Sequence, residues 1–279
     1  MFFVTKEMTW IAPRLTDGLG NRLFQYAAAA GLAEKWGWPI VFFLPQCGPT
    51  NHGPFETIFK LFPLTRIVDT EYEWELLTEP EKGIYTYYPL PDEPPSTKFH
   101  VLQGYRQSEK YFPKNFVLDF ENALGAEQAA SIRQKIPEPN KTWFVHVRLG
   151  DYKKLIHHQI NLEAYYNKCL VEIPRGSSLI LMSDELELCR GVFGQVADQL
   201  GLDFSICDTD DELVTLYLMS LCHGGAITAN STFSWWGAYC AHQTAPPTFR
   251  AFFPSSWGVG MPEPKDITPS WGNVVTLTS

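Results

Sequence analysis

Three short polar clusters carry the chemically active groups of this sequence. Arg148-Leu149-Gly150-Asp151-Tyr152 sets a guanidinium close to a carboxylate, and Ser183-Asp184 adds a hydroxyl and a second carboxylate. Asn230-Ser231-Thr232-Phe233-Ser234 is a run of amide and hydroxyl groups ahead of Trp235-Trp236. Arginine offers a planar cationic fork that matches phosphate oxygens. Small hydroxyls and open N–H groups at a helix start suit an anion. Together these groups point to a phosphorylated ligand. Each also has a plain structural reading. Arg148 can form an ion pair with Asp151, and Ser, Thr or Asn before a helix is the ordinary N-cap. Asp184 can likewise be a cap, and His146, between Val145 and Val147, can be a satisfied core histidine.

Other motifs fit particular chemistries less well. Gly18-Leu19-Gly20-Asn21-Arg22-Leu23 has two glycines of a dinucleotide fingerprint, but Leu23 stands at the third. The following strand runs into Pro45-Gln46, where a ribose-binding acid belongs. A nicotinamide or flavin enzyme is therefore disfavoured. Gly18 and Gly20 still allow close backbone approach to a ligand, with Asn21 presented at the helix start. Asp208-Thr209-Asp210 has the form of a cation-binding triad, or of a strand end followed by a helix cap, with Thr209 and Glu212 at capping-box spacing. Hard cations need more oxygen ligands than this motif supplies. His157-His158 reads as a solvated loop pair. Any tryptophan exposed near the site can stack on a sugar, although packing is the commoner role.

These clusters need a scaffold that brings strand ends together. TWFVHV (142–147), SLILM (178–182), DFSIC (203–207) and GAITA (225–229) read as strands, with helices near 161–172, 185–200 and 210–222 between them. Alternation of this kind implies βαβ crossovers and a parallel sheet. In such a sheet the ligand crevice lies outside the carboxyl ends of the strands, where all three clusters fall. Earlier in the chain, a short strand at Met8–Ala12, a turn at Asp17–Asn21 and a helix ending near Gly37 precede a buried strand at Pro39–Leu44. Residues 45–100 are rich in proline, glycine and aromatics. A strand near 99–103 and a helix at 122–135 follow. Ile136-Pro137-Glu138-Pro139-Asn140 reads as a hinge, which divides the chain into α/β domains 1–138 and 139–279.

Composition narrows the function classes. The 279 residues are 45% hydrophobic and 19% charged, enough for a sizeable core. Lys plus Arg is 22 against 31 Asp plus Glu, a net charge of −9 that argues against nucleic acid or an anionic membrane as partner. No run reaches the roughly 18 apolar residues of a membrane span. The opening MFFVTKEMTW carries Lys6 and Glu7 in its apolar stretch, unlike a secretion signal. Six scattered cysteines without a CxxC pair read as buried thiols, in keeping with a cytoplasmic protein.

The motifs GLGNRLFQYA (18–27), GYRQSEKYF (104–112), HVRLGDY (146–152), SDELELC (183–189) and LYLMSLC…ITANSTFSWWGAYC (216–240) occur together. In this order they resemble the α-1,2-fucosyltransferases of glycosyltransferase family 11. The resemblance implies a GT-B fold, two Rossmann-like α/β domains with a cleft between them. It implies GDP-β-L-fucose as donor, and inverting transfer to O2 of a galactose-containing glycan without a metal ion or other cofactor. Under it Arg148 stabilises the departing phosphate, while His146, Ser183, Asp184 and Asn230 to Ser234 seat the nucleotide. Gly18, Gly20 and Asn21 come from the other domain, Asn21 facing the fucose across the cleft. Asp151 is the nearest candidate for a base that takes the acceptor proton, or a brace for Arg148.

Several positions leave the family pattern. Leu149 stands where a second arginine is usual, and Asp17 where a glycine is common. Glu185 and Leu188 replace an Asp and a Trp, and Thr215 replaces an Asp, with Asp211 one turn earlier. Loss of a cation at 149 and of a carboxylate at 215 predicts weaker donor binding, unless Leu149 packs and Asp211 reaches the base. Other readings are a fucosyltransferase with a different acceptor, and a sugar-binding relative that has lost turnover. The sequence leaves the oligomeric state open.

Overall fold

The computed structural model describes residues 9–48, 55–70, 72–80, 84–96 and 98–277. Met8, Lys6, Glu7 and the rest of the opening segment lie outside the described residues. The chain forms two compact units, Met1–Phe116 with Lys265–Ile267, and Val117–Pro264 with Thr268–Ser279.

The first unit is built on β1 (Ile11–Pro13), α1 (Leu19–Trp36), β2 (Val41–Phe43), α2 (Glu56–Leu61), β3 (Arg66–Val68), β4 (Trp74–Thr78) and β5 (Phe99–Gln103). Strands β4, β5 and β1 pair in parallel in that order, β2 pairs with β3, and an Ile11–Ile40 bridge links the two sets. The apolar stripe of α1 buries Leu23, Phe24, Ala27, Ala28 and Leu32. That helix starts within the GLGN motif, with Gly18 as its N-cap. Gly20 and Asn21 therefore sit in its first turn rather than in a preceding loop.

The second unit begins with α3 (Phe120–Leu124) and α4 (Ala126–Gln134). The single helix expected at 122–135 is broken at Gly125, whose φ of 84° no helix accommodates. Then come β6 (Thr142–Val147), α5 (Glu163–Leu170), β7 (Ser178–Ser183), α6 (Leu186–Leu200), β8 (Asp203–Ile206), α7 (Glu212–Ser220), β9 (Gly225–Ile227), α8 (Thr232–Thr244), β10 (Arg250–Pro254) and β11 (Asn273–Val275). The sheet runs β8-β7-β6-β9-β10-β11, all parallel. This is the doubly wound 3-2-1-4-5-6 order, whose switch point lies between the first and fourth strands, here β6 and β9. The 136–141 segment is no linker: a 3-10 turn over Pro139–Lys141 feeds β6, and the Pro139 carbonyl accepts from the amides of His223 and Gly224. Helices α3 and α4 pack on α7, so they belong with the second unit.

Trp143, Val145, Val147, Tyr165, Leu179, Leu181 and Ile227 form one core cluster of this unit, and Trp235 and Trp236 are fully buried. Of the six cysteines all are free, and five are buried. Among the described residues no helix is long and apolar enough to cross a membrane.

Candidate active site

Strand register brings the three polar clusters to one edge. Val147 lies beside Ser183, and Val145 beside Ile227, so Thr228 and Ala229 run level with the last two residues of β6 and Asn230 is the first to pass its carboxyl end. Arg148, Ser183-Asp184 and Asn230-Ser231 thus meet at the switch point.

Arg148 is clamped by two carboxylates. Its Nη2 lies 2.7 Å from Asp151 Oδ1 and its Nη1 lies 3.1 Å from Asp184 Oδ2. Asp184 does not cap a helix. Its carboxylate accepts from the backbone N–H of Leu149 (2.9 Å) and of Gly150 (3.1 Å), so it ties the loop after β6 to the end of β7. Gly150 is required by this approach, because a Cβ there would lie 2.5 Å from Asp184 Oδ2. Asp151 opens a 3-10 turn over Asp151–Lys153.

Tyr152 bridges the switch point: its hydroxyl donates to the Asn230 carbonyl at 3.1 Å, and the Ser231 hydroxyl bonds the Tyr152 oxygen. Burial pushes the Tyr152 phenol up to about 12, so it remains a donor at any physiological pH. Ser231 is the N-cap residue of α8 but makes no side-chain cap, contrary to the plain reading of that motif. Asn230 is buried and donates to the Trp257 carbonyl at 3.0 Å. Ser234 is fully buried, its hydroxyl accepting from the Ala229 N–H and donating its proton to the Ser231 carbonyl, which leaves it no donor for a ligand. The Ser183 hydroxyl accepts from the Glu185 N–H. Thr232 and Phe233 are half-buried, and the Phe233 ring lies 5.9 Å from His146. His146 is buried in β6, and burial, aided by the Arg148 charge, lowers it to about 4. It is neutral, and its Nδ1 has no partner among the described residues.

A cavity of about 600 Å³ opens beside Arg148, and its lining includes Tyr152, Lys153, His158, Asn161 and Glu163. His158, expected in a solvated loop pair with His157, instead stacks its ring on Tyr152, with centroids 4.2 Å apart. Lys153, in an ion pair with Glu185 at 2.7 Å, also had no expected role. Its only signal was a second cation five residues beyond Arg148.

The departures from the family pattern acquire local explanations. Leu149 packs against the core cluster of the second unit. The α7 cap is Asp211, whose Oδ1 accepts from the N–H of Leu213 and Val214, so an Asp211 cap stands in place of the expected Thr209–Glu212 capping box. Thr215 donates its hydroxyl to the Asp211 carbonyl. Asp208 and Asp210 are exposed, and among the described residues no group of three His, Cys, Asp or Glu side chains is placed to hold a metal ion. In the first unit, Asn21 is half-buried and its Oδ1 accepts from Gln107 Nε2 at 2.9 Å.

Comparison with known proteins agrees with this architecture. The model of glycosyl transferase family 11 matches residues 88–245, more than half of the chain. An O-antigen biosynthesis glycosyltransferase, WbnK of Escherichia coli, is 29% identical over 152 residues, 51% of this chain. The match takes in 47% of that protein, so the chain spans about half the length of this relative. An alpha-1,2-colitosyltransferase of Escherichia coli is 25% identical, covering 83% of this chain and 88% of that protein. In fold the chain is similar to the fucosyltransferase NodZ from Bradyrhizobium (TM-score 0.51, 17% identity, 84% of this chain and 92% of that one). It is also similar to POFUT1 in complex with GDP-fucose (TM-score 0.52, 11% identity, 87% and 97%). With α/β units of parallel strands and a family model over most of the second unit, the chain belongs to glycosyl transferase family 11.

Proposed function

We propose that the chain transfers L-fucose from GDP-β-L-fucose to O2 of a galactose-containing glycan, inverting the anomeric carbon to give an α-1,2 linkage. The observation that carries this is Arg148, fixed by Asp151 and Asp184 at the carboxyl end of the central strand. Diphosphate departure builds charge on a phosphate oxygen, and a guanidinium held in place beforehand stabilises that charge without reorganisation. His146, Ser183 and the Asn230–Phe233 turn frame the nucleotide, and Asp184 acts by bracing the loop. Asp151, paired with Arg148, is a brace in this reading rather than the base. Asn21 serves the fucosyl group with its amide, and the two units follow the GT-B plan. No metal takes part, because Arg148 meets the phosphate charge. The buried free thiols support a cytoplasmic setting.

The test is release of GDP from GDP-fucose with and without lactose, followed by linkage analysis of the product. Arg148→Ala is expected to lose roughly 3–4 kcal/mol of transition-state stabilisation, several hundredfold in turnover. Arg148→Lys rescues poorly, since a point charge does not reproduce the fork. Retention of more than about a tenth of the activity by Arg148→Ala, a loss of only ~1.4 kcal/mol, overturns the phosphate role. A colitosyl donor is the second reading, favoured by the relative that matches 83% of the chain. Parallel assays with the two activated sugars separate them.

A further inference from the structure

The segment Gly104-Tyr105-Arg106-Gln107 belongs to a motif that the donor chemistry above does not use. Strand β5 pairs with β1 in parallel, Leu102 beside Pro13, so the loops leaving their carboxyl ends run side by side. Two side-chain bonds join these loops. Tyr105 bonds the Asp17 carboxylate, and burial together with that acid pushes its phenol up to about 12. Gln107 Nε2 donates to Asn21 Oδ1 at 2.9 Å.

Gln107 is only 5% exposed, and its Oε1 is buried with no hydrogen-bond partner among the described residues. A buried polar atom left open calls for an explanation. This glutamine is satisfied at its nitrogen alone, and the acceptor it serves is Asn21. The loop that delivers it has little slack. The Glu79 carboxylate accepts from the N–H of Tyr105 (2.8 Å) and of Arg106 (3.1 Å). Arg106, 2% exposed, is held at a φ of 51°, a left-handed conformation that a long side chain adopts only when its surroundings impose it.

We propose that Gln107 is a positioning residue for Asn21: by donating to Oδ1 it fixes the Asn21 carboxamide so that Nδ2, the donor end, is the group offered to the ligand. The inference rests on the role given to Asn21 above. A terminal carboxamide torsion is broad and roughly two-fold, so an unheld asparagine presents oxygen as readily as nitrogen. A group that faces developing negative charge must present a donor.

Gln107→Glu keeps the shape but removes the donor, and its carboxylate accepts from Asn21 Nδ2, turning the amide over. The expected result is at least a tenfold fall in kcat with the KM for GDP-fucose changed less than about threefold. Gln107→Leu should show the same split, and it decides the matter if Gln107→Glu does not fold by circular dichroism and melting. In an Asn21→Ala background either substitution is expected to change kcat less than twofold. Equal losses in both backgrounds overturn the proposal, because a merely structural glutamine acts whether or not Asn21 is present. Full kcat in Gln107→Glu beside a crippled Asn21→Ala also overturns it, while leaving the role of Asn21 intact. Full activity in Asn21→Ala removes that role and this inference together, and the Arg148 variants then report separately on the donor site.

Discussion

Replacing Gly150 with alanine tests the brace beneath Arg148 without touching any charged group. The new Cβ would stand 2.5 Å from Asp184 Oδ2 and 3.2 Å from its Cγ, so the carboxylate must retreat by about 1 Å to reach ordinary contact. Its bonds to the Leu149 and Gly150 amides are 2.9 and 3.1 Å, and its ion pair to Arg148 is 3.1 Å. A retreat of that size takes these contacts beyond hydrogen-bond range. Hydrogen bonds to a charged group contribute about 1.5–3 kcal/mol each. Here the Arg148 and Asp184 side chains are 30% and 24% exposed, and water replaces part of what is lost. About 1 kcal/mol for each of two amide bonds gives about 2 kcal/mol, roughly thirtyfold in kcat/KM if all of it falls on the transition state. The assay is kcat/KM for fucosyl transfer, run beside a thermal melt, in a double-mutant cycle with Asp184→Ala. Once the carboxylate is gone the Cβ has nothing to meet, so Gly150→Ala should then cost less than about 0.5 kcal/mol. Equal losses in both backgrounds would refute the bracing argument.

Other outcomes follow from the same geometry. His146 is neutral when folded, with its pKa depressed to about 4 from 6.5. The unfolded chain takes up that proton first, so stability is full above pH 6.5, falls as pH drops, and is lower by about 3 kcal/mol once below 4. His146→Gln should flatten this acid limb of the unfolding free energy. Asp211→Ala removes the α7 cap and should cost about 1 kcal/mol of stability while nucleotide preference is unchanged; a lost preference for GDP would show that Asp211 reads the base. Asp151→Asn should lower kcat less than tenfold and keep the acid side of the pH–rate profile, whereas loss of that limb would identify a base. Transfer should survive excess EDTA, and abolition with rescue by manganese would restore Asp208 and Asp210 as a metal site.

The parts legible in the sequence were those that uninterrupted apolar runs announce. Strands β6 and β7 fall on TWFVHV and SLILMS because both are flanked by sheet on each side, and the polar clusters at their ends followed directly. Strand β10 passed unread because prolines crowd Arg250–Pro254, and β11 because Asn273–Val275 is a three-residue edge with mostly exposed side chains. The α7 cap falls on Asp211 instead of Thr209 because two residues two positions apart satisfy similar local patterns, and only the backbone at Asp211 settles which oxygen reaches Leu213 and Val214. Asp184 as a brace was hidden for a different reason. Its partners belong to another strand end, and no spacing along the chain encodes a contact made across a sheet.

The return of Lys265–Ile267 to the first unit has a consequence for how this chain can be taken apart. Asp266 lends its N–H to the Tyr85 carbonyl, its carboxylate accepts from the Tyr87 N–H, and Lys110 pairs with it. A fragment ended at Phe116 lacks all three contacts, so the first unit is not encoded by any single continuous stretch. A protease that nicks the polypeptide between Phe116 and Val117 leaves both pieces sharing one fold, and the nicked molecule should elute intact until denatured. Shuffling the amino-terminal half between relatives therefore requires that a short tail peptide travel with it.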